Sequence, residues 1–382
     1  MAKKKVERTE ITKTDWKANF SLVGTPKITD FTFKMNEHSS KNSTYTYNRM
    51  HLGVDCGDNG IVYCDMMGGF DMSKPYPIRK ASKDDPSKMI EVAWEDRLSD
   101  DTVNSIADFA KITVALRKTD EDKVVYKTFL HEYDAIEYIK QYLTDKDVVR
   151  VSGTLKWSMY NDKMQVSKQV NRIVLVKGEN PKIGATFTQS VLLDKDSIDT
   201  KSIDYEKNCA FLSTRLLDYV KMIDDTEING QYPYKYTLEL RAPSQNALNS
   251  ILNRYCKVKK DITQINFTGA IFEGGAKTAV TVADLPADLQ QDIADKIITE
   301  EQAFDEFAAV TRGNSSNETR LIAVIPAAND SEGGRAVYPN RYKEEDLSLA
   351  WLYQDDEEVV KSSTAVESVD VEDNFDFLND MV

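Results

Sequence analysis

The chain has 382 residues, of which 41% are hydrophobic and 9% aromatic, and it carries a net charge of −14 at pH 7. These values are ordinary for globular proteins and exclude collagen-like, low-complexity and wholly disordered chains. The length predicts two or three domains of about 150 residues each. The sequence has no apolar run of about 18 residues, the length that would span a membrane. The four cysteines form no closely spaced pair, so we expect the protein in a reducing cytoplasm.

The first half of the chain, residues 19–180, shows strand patterns and one helix after a basic arm at residues 1–18. Two alternating runs flank GDNG at 57–60, which predicts a hairpin because Asn and Gly tolerate positive φ. Residues 71–105, with three prolines and many charges, are predicted to be an irregular insertion. A second hairpin turns at TDED (119–122), then comes a helix, and two more strands complete this half. The helical spacing is carried by Tyr133, Ile136, Ile139, Tyr142 and Leu143.

The same order of elements recurs in residues 181–285, where strands, a helix and a final hairpin follow one another. The strand after the helix carries the clearest match. Both Val149–Leu155 and Ile265–Ile271 read apolar, polar, apolar, hydroxyl, Gly, small, apolar. With a helix directly before it in both halves, this match predicts an internal repeat. The alternative is that small β domains share such a texture without being repeats.

The C-terminal part of the chain loses these patterns. Residues 286–354 are predicted to begin with an amphipathic helix, since Pro286 stands at its first turn, and to include one more strand at 321–330. Residues 355–382 are acidic and poor in large apolar side chains until NFDFLNDMV. Such a segment cannot bury enough surface to fold alone, so we expect a disordered acidic tail.

Charge is unevenly distributed along the chain. Residues 355–382 contain ten carboxylates and one lysine, a net charge of −9. Residues 148–178 contain six basic side chains and one acidic side chain, a net charge of +5. Because a local basic stripe sets the affinity for phosphates, the acidic total does not exclude a nucleic-acid partner.

The order of elements is that of the OB-fold, a five-stranded barrel with a helix between its third and fourth strands, which binds oligonucleotides. Residues Tyr126–Val176 resemble the C-terminal half of bacterial and phage single-stranded-DNA-binding proteins. The matching stretches are YKTFL, a helix ending YIKQYL, then DVVRVSGTLKW and a strand closing QVNRIVLV. The acidic tail is similar as well, although it ends Asp-Met-Val rather than in the aspartate–phenylalanine tip of that family, and the 71–105 insertion has no clear counterpart.

This resemblance implies a mainly β protein with two OB-fold-like Greek-key barrels in tandem, followed by a helical segment and the disordered tail. The predicted domains are residues 19–180, which include the insertion, and residues 181–285. If a phage encodes the protein, its compartment is the cytoplasm of the bacterial host.

Non-specific binding of a single strand needs basic groups that follow the phosphates and aromatic faces on which bases stack. The hairpin at residues 150–172 supplies both kinds of group. Its candidate DNA-binding residues are Arg150, Lys156, Trp157, Tyr160, Lys163, Lys168 and Arg172. The alternative is that Trp157 caps the barrel core and that the lysines only form a solvent-exposed strand face.

Two further sets of residues are weaker candidates for DNA contact. Tyr45, Tyr47 and Arg49 alternate, so their side chains share one face of a strand. In the second half Tyr232, Tyr234 and Tyr236 alternate in the same way, and Arg241 follows; cross-strand tyrosines also stabilise sheets. The basic arm is a candidate for phosphate contact or for contact with the tail, and its charges are Lys3, Lys4, Lys5 and Arg8.

The tail has a predicted role of its own. A flexible segment of charge −9 competes with phosphates for a basic groove, and bound DNA releases it. Its apolar tip then becomes available to partner proteins of replication or recombination. The residues of this tip are Phe375, Phe377 and Leu378. The alternative is a tail that only keeps the protein soluble.

Metal and catalytic chemistry have little support in the sequence. His38, His51, Cys56 and Cys64 form a weak candidate zinc site, because they lie close in sequence without the tight spacing that pre-forms such a site. No phosphate-binding loop, HExxH or GxSxG motif is present, so we expect neither an enzyme nor a cofactor.

The sequence therefore predicts a non-catalytic protein that coats and protects single-stranded DNA and recruits partners through its tail. An RNA-binding protein would use the same physics. The competing class is a protein-interaction or structural assembly module, such as a phage scaffold, that uses OB-like barrels to bind protein.

Overall fold

The computed structural model describes most of the chain up to residue 347, and the described residues belong to one compact unit, Glu10–Leu347. The described residues are 11–40, 44–119, 123–160, 163–178, 180–223, 226–273, 287–295, 297, 299, 303, 319–326 and 336–347. They are mainly β, as predicted. Within these residues no helix is long and apolar enough to cross a membrane.

The strands of the first half are β1 Ala18–Lys27, β2 Phe33–His38, β3 Tyr45–Asp55, β4 Ile61–Asp71, β5 Ile78–Ala81, β6 Met89–Val92, β7 Ile112–Lys118, β8 Val124–Phe129, β9 Val149–Tyr160 and β10 Lys163–Leu175. Those of the second half are β11 Gly184–Leu193, β12 Cys209–Ile223, β13 Thr226–Arg241, β14 Ile262–Phe272, β15 Arg320–Pro326 and β16 Val337–Tyr342. The α-helices are α1 Asp100–Ser105, α2 Glu132–Tyr142, α3 Gln245–Ile251 and α4 Ala287–Ala294.

The first barrel closes through five strands in the order β1-β3-β4-β10-β9 and back to β1. All pairings are antiparallel except that of β4 with β10, which is parallel. The predicted hairpin of β3 and β4 turns between Gly57 and Gly60, both of which have positive φ. The second predicted hairpin, β7–β8, joins this wall because β7 pairs in parallel with β10. This is the closed, OB-like arrangement that the order of elements predicts.

Helix α2 stands directly before β9, as the apolar spacing predicts. Its buried face includes Ile136 and Ile139, and Leu143 follows the helix into the same core. His131 caps the helix, since its Nδ1 accepts a hydrogen bond of 3.2 Å from the backbone N–H of Tyr133. The helix therefore begins where the His131 side chain accepts a backbone N–H that has no carbonyl acceptor within the helix.

The second barrel closes in the same way, through β11-β12-β13-β15-β14 and back to β11. Again one pairing, that of β13 with β15, is parallel. The fifth strand, Arg320–Pro326, overlaps the stretch 321–330 that is predicted as an additional strand. Residues 277–285, predicted as the second strand of the final hairpin, lie outside the described residues. The domain boundaries at residues 180 and 285 stay predictions.

The same close contact occurs inside each barrel, and it explains the repeated sequence pattern. In the first, Gly153 of β9 lies opposite Phe20 of β1, and in the second Gly269 of β14 lies opposite Phe187 of β11. A Cβ at Gly153 would lie 1.9 Å from the Gln169 carbonyl oxygen and 2.9 Å from the Phe20 ring. A Cβ at Gly269 would meet a carbonyl oxygen at 2.0 Å and the Phe187 ring at 2.6 Å. Each barrel therefore needs glycine at the same place in its fourth strand.

The 71–105 insertion is more regular than predicted. It contains the β5–β6 hairpin, a 3-10 turn at Trp94–Leu98 and helix α1. The Trp94 ring stacks on Phe70 with centroids 3.7 Å apart. Arg97 donates to both oxygens of Asp134 in α2, at 2.9 and 3.0 Å, and its guanidinium lies over Trp94. A forked ion pair and a stacked aromatic pair thus attach the insertion to the first barrel.

The sequence places residues 11–17 in the basic N-terminal arm, and in the structure they lie along the second barrel. The backbone of Lys17 makes two hydrogen bonds with Ser190, both 2.7 Å long. Asp15 pairs with Arg341 at 2.7 Å, and the Tyr342 hydroxyl donates to the Thr12 carbonyl at 2.8 Å. We call residues 11–17 the N-terminal strap. The arm residues Lys3, Lys4, Lys5 and Arg8 lie outside the described residues.

Candidate nucleic-acid interface

The β9–β10 hairpin, which carries most of the predicted contacts, separates them onto two faces. Successive side chains of a strand point to opposite faces, so Lys156 and Trp157 cannot share one. Across the hairpin Lys156 lies opposite Ser167, and Tyr160 lies opposite Lys163. A register shift after Val170 places Arg172 on this outer side as well. We call Arg150, Lys156, Tyr160, Lys163 and Arg172 the outer hairpin face.

Trp157 lies on the inner side, and the expectation that its ring faces solvent is wrong. Its side chain is 5% exposed. The indole Nε1–H donates to Gln189 Oε1 at 3.0 Å, and the ring centroid lies 4.7 Å from that of Tyr236. The backbone N–H of Trp157 donates to Asp218 at 2.7 Å. The alternative, a core tryptophan, is the correct interpretation, because polar and aromatic partners from the second half of the chain cover both its ring and its N–H groups.

Lys168 also points inward, so the expectation that it lies on the DNA face is wrong. Its ammonium lies 2.7 Å from a carboxylate oxygen of Glu273, which directly follows β14, and both side chains are buried. The same ammonium donates to the Thr319 hydroxyl at 3.2 Å. A buried charge requires such a partner, and this one connects the first barrel to the second.

The tyrosines of β13 help to build this junction between the barrels. Tyr234 is buried, and burial, with a smaller contribution from Asp218, raises the pKa of its phenol to about 12. Tyr236 is half-buried beside Trp157. Tyr232 lies beside Tyr234 with ring centroids 4.8 Å apart. A buried ring does not offer a face for stacking, so this arrangement does not favour the predicted contact of Tyr234 with DNA.

The remaining candidates differ in exposure. Tyr45 and Tyr47 are half-buried, with ring centroids 6.4 Å apart. Arg49 is buried and lies 3.4 Å from Asp65, which does not favour the predicted contact of Arg49 with DNA. Arg241 is exposed and lies 2.6 Å from a carboxylate oxygen of Glu239.

The four residues of the weak zinc candidate are separated by other contacts. The His51 Nδ1 lies 2.8 Å from Asp65, while the His38 Nδ1 lies 3.2 Å from the Thr46 hydroxyl. Cys56 and Cys64 are buried, and burial raises the pKa of the Cys56 thiol to about 12. In the described part of the chain no three His, Cys, Asp or Glu residues are grouped as a metal site would require.

The outer hairpin face has the character that phosphate contact requires. Arg150, Lys163 and Arg172 are exposed, and none of them pairs with a carboxylate of the described residues. The Lys156 ammonium lies 3.9 Å from the buried carboxylate of Asp218. Cations on an exposed strand face with no carboxylate partner among the described residues can exchange counterions for phosphates.

Tyr126, which sequence reasoning did not select, extends this face onto β8. Its ring is 60% exposed, and the Arg172 guanidinium lies 5.9 Å from its centroid. An exposed ring beside a cation is suited to stacking with a base. The signal was present in YKTFL, where Tyr126 alternates with a polar residue, but only the pairing of β7 with β10 shows that this strand lies near the hairpin. The tail residues Phe375, Phe377 and Leu378 lie outside the described residues.

Comparison with known proteins gives a likeness at the level of solved structures only. No protein-family model and no curated protein matches the chain. Two structures of the single-stranded DNA binding protein from Thermus aquaticus, a deletion mutant and the wild type, are similar to it with TM-scores of 0.28 and 0.29. Both are 11% identical and cover 67% of this chain and 86% and 85% of their own. A likeness this weak does not assign a function.

Proposed function

We propose that this chain is a non-catalytic protein that binds single-stranded DNA with the outer hairpin face. The observation that carries the proposal is the outer hairpin face on a closed OB-like barrel, where three of the four basic side chains are exposed and Lys156 is half-buried. Tyr160 is exposed on the same face, and Tyr126 lies beside Arg172. OB-folds bind oligonucleotides with the face of their second and third strands and with two loops, one of which joins the fourth and fifth strands. The β9–β10 hairpin consists of the fourth and fifth strands of the first barrel, so its outer face lies next to that loop.

The mechanism is phosphate neutralisation combined with base stacking. Arg150, Lys156, Lys163 and Arg172 replace counterions along the backbone, while the tyrosine rings accept unpaired bases. Stacking is worth about 1–3 kcal/mol per base and tolerates any sequence, because every base has a π face. The two barrels together would cover about 10–30 nucleotides, at about 4–16 per OB-fold.

Protection of single strands in replication and recombination, in a bacterial or phage-infected cytoplasm, belongs to the same proposal. Recruitment of partner proteins by the acidic tail is its finer part, and it is supported by the net charge of −9 in residues 355–382 and the late aromatic residues there.

The test measures the binding of a fluorescent oligo(dT) of about 30 nucleotides by anisotropy as the salt concentration is varied. The affinity should fall steeply, with a log–log slope of several units. Replacing Lys163 and Arg172 together by Gln should reduce that slope by about 1.4, at about 0.7 per phosphate contact. The exposed Lys259, which lies in the loop before β14, supplies the control Lys259→Gln, which should keep the wild-type slope.

Absence of binding at low salt would overturn the proposal and favour the competing class, a protein-interaction module. A protein-interaction module is also compatible with the buried Trp157, which packs at the junction of the two barrels. A matched oligo(rU) separates DNA from RNA preference, since the 2′-hydroxyl is the group that a protein reads.

A further inference from the structure

The N-terminal strap brings a lysine to the junction of the two barrels, where a second lysine from the outer hairpin face also arrives. The ammonium of Lys13 lies 3.5 Å from Oδ1 of Asp218, and that of Lys156 lies 3.9 Å from the same oxygen. The three residues come from three different elements: the strap, β9 of the first barrel and β12 of the second. The site thus exists only when both barrels and the strap are in place.

The carboxylate of Asp218 is already bound by backbone groups. Its Oδ2 accepts the N–H of Trp157 at 2.7 Å, and its Oδ1 accepts the N–H of Tyr219 at 2.8 Å. Strong charge-assisted N–H···O bonds are about 2.7–2.9 Å long, so the lysine contacts at 3.5 and 3.9 Å are long by comparison. Each ammonium has three donors, and the long contact leaves most of that capacity unused.

The site has an excess of positive charge that faces solvent. Two ammonium groups surround one carboxylate, and the lysine side chains are 26% and 43% exposed while that of Asp218 is 6% exposed. Desolvation by burial, the largest influence, lowers the pKa of Lys13 despite the neighbouring Asp218. A further negative charge on the open side would compensate both lysines.

We propose that Lys13 and Lys156 together hold one phosphate of a bound single strand where it crosses from the first barrel to the second. This inference rests on the proposed function, and it adds a contact that neither barrel supplies alone. Asp218 keeps the two ammonium groups together in the free protein, and the phosphate binds on the solvent side. The strap thereby becomes part of the nucleic-acid interface.

A double-mutant cycle on the full-length chain tests this inference, with anisotropy of the same oligo(dT) as the readout. Lys13→Gln should weaken binding about three- to tenfold, the scale of one charge-assisted contact, and should reduce the salt slope. Lys13→Arg keeps the charge and should bind as the wild type does. Because both lysines hold the same phosphate, Lys13→Gln should have a smaller effect in the Lys156→Gln protein.

The outcomes separate this inference from the proposed function. If the wild type fails to bind oligo(dT), the proposed function falls and the clamp falls with it. If the wild type binds but Lys13→Gln behaves like the control Lys259→Gln, only the clamp is overturned. Equal effects of Lys13→Gln in both backgrounds would also overturn it, since independent contacts are additive. An unchanged melting temperature of Lys13→Gln and Lys13→Arg shows that the strap is intact.

Discussion

His131 shows how one side chain connects local sequence, packing and pH. It caps α2 through Nδ1 and lies edge-on to Trp94, with ring centroids 5.3 Å apart. Desolvation by burial lowers the pKa of this imidazole below its usual value of 6.5. The neutral ring is required for the cap, because a protonated Nδ1 is a donor and can no longer accept the N–H of Tyr133.

This arrangement predicts a pH dependence of stability. The folded-state pKa of His131 is lowered, so below pH 6.5 the unfolded chain binds more protons than the folded one. The contribution of His131 to the free energy of unfolding should therefore be fully present above pH 6.5 and should be lost as the pH falls toward the folded-state pKa of His131. Urea unfolding at several pH values measures this decrease.

The control for this prediction is His131→Asn, which keeps a good N-cap acceptor without a titrating ring. The variant should lose the part of the pH dependence that His131 causes, while His38 and His51 remain in both proteins. Identical pH profiles for the variant and the wild type would show that His131 does not contribute.

At the scale of elements, the β9–β10 hairpin serves two purposes on its two faces. The outer face is basic and exposed, whereas the inner face holds Trp157 and Lys168 against the second barrel. The Lys168–Glu273 pair is buried, and Glu273 also accepts the backbone N–H of Tyr63 at the start of β4. Removal of one member leaves a buried charge without its partner, which is the costly change at such a pair.

Lys168→Met should therefore lower the free energy of unfolding by about 3–5 kcal/mol, measured by urea denaturation. Combining it with Glu273→Gln should recover much of that loss, because the amide is neutral and its oxygen still accepts the N–H of Tyr63. The single variant, studied where it is folded, should keep the wild-type salt slope for oligo(dT). A lower slope would return Lys168 to the DNA-contacting set.

At the scale of the whole molecule, the charge is divided between a basic stripe and an acidic end. Residues 148–178 carry +5 and residues 355–382 carry −9, within a total of −14. The acidic tail and the phosphates of DNA are both negative, so they compete for the same basic side chains, and salt screens this competition. We expect the tail to regulate access of DNA to the outer hairpin face.

Deletion of residues 355–382 should tighten oligo(dT) binding, more at low salt than at high salt, as anisotropy titrations would measure. A tail of equal length with its ten carboxylates changed to Asn and Gln should have the same effect as deletion, because charge rather than length competes. Unchanged affinity at both salt concentrations would argue against this regulation.

The sequence by itself determined the local elements. Alternation, the GDNG turn and the helical spacing before Val149 predicted the β3–β4 hairpin, α2 and β9, because these depend on neighbours within a few residues. The match of Val149–Leu155 with Ile265–Ile271 likewise predicted an internal repeat, and the structure shows that its shared glycines, Gly153 and Gly269, are in the same close contact.

Only the tertiary structure decided what each face meets. Trp157 is buried by Gln189, Asp218 and Tyr236, and Lys168 by Glu273, all contributed from later in the chain. Alternation states that Trp157 and Lys156 face opposite ways, but it does not state which side is covered. That choice depends on the second barrel, because burial is a property of the assembled surfaces and not of the strand that carries the residue.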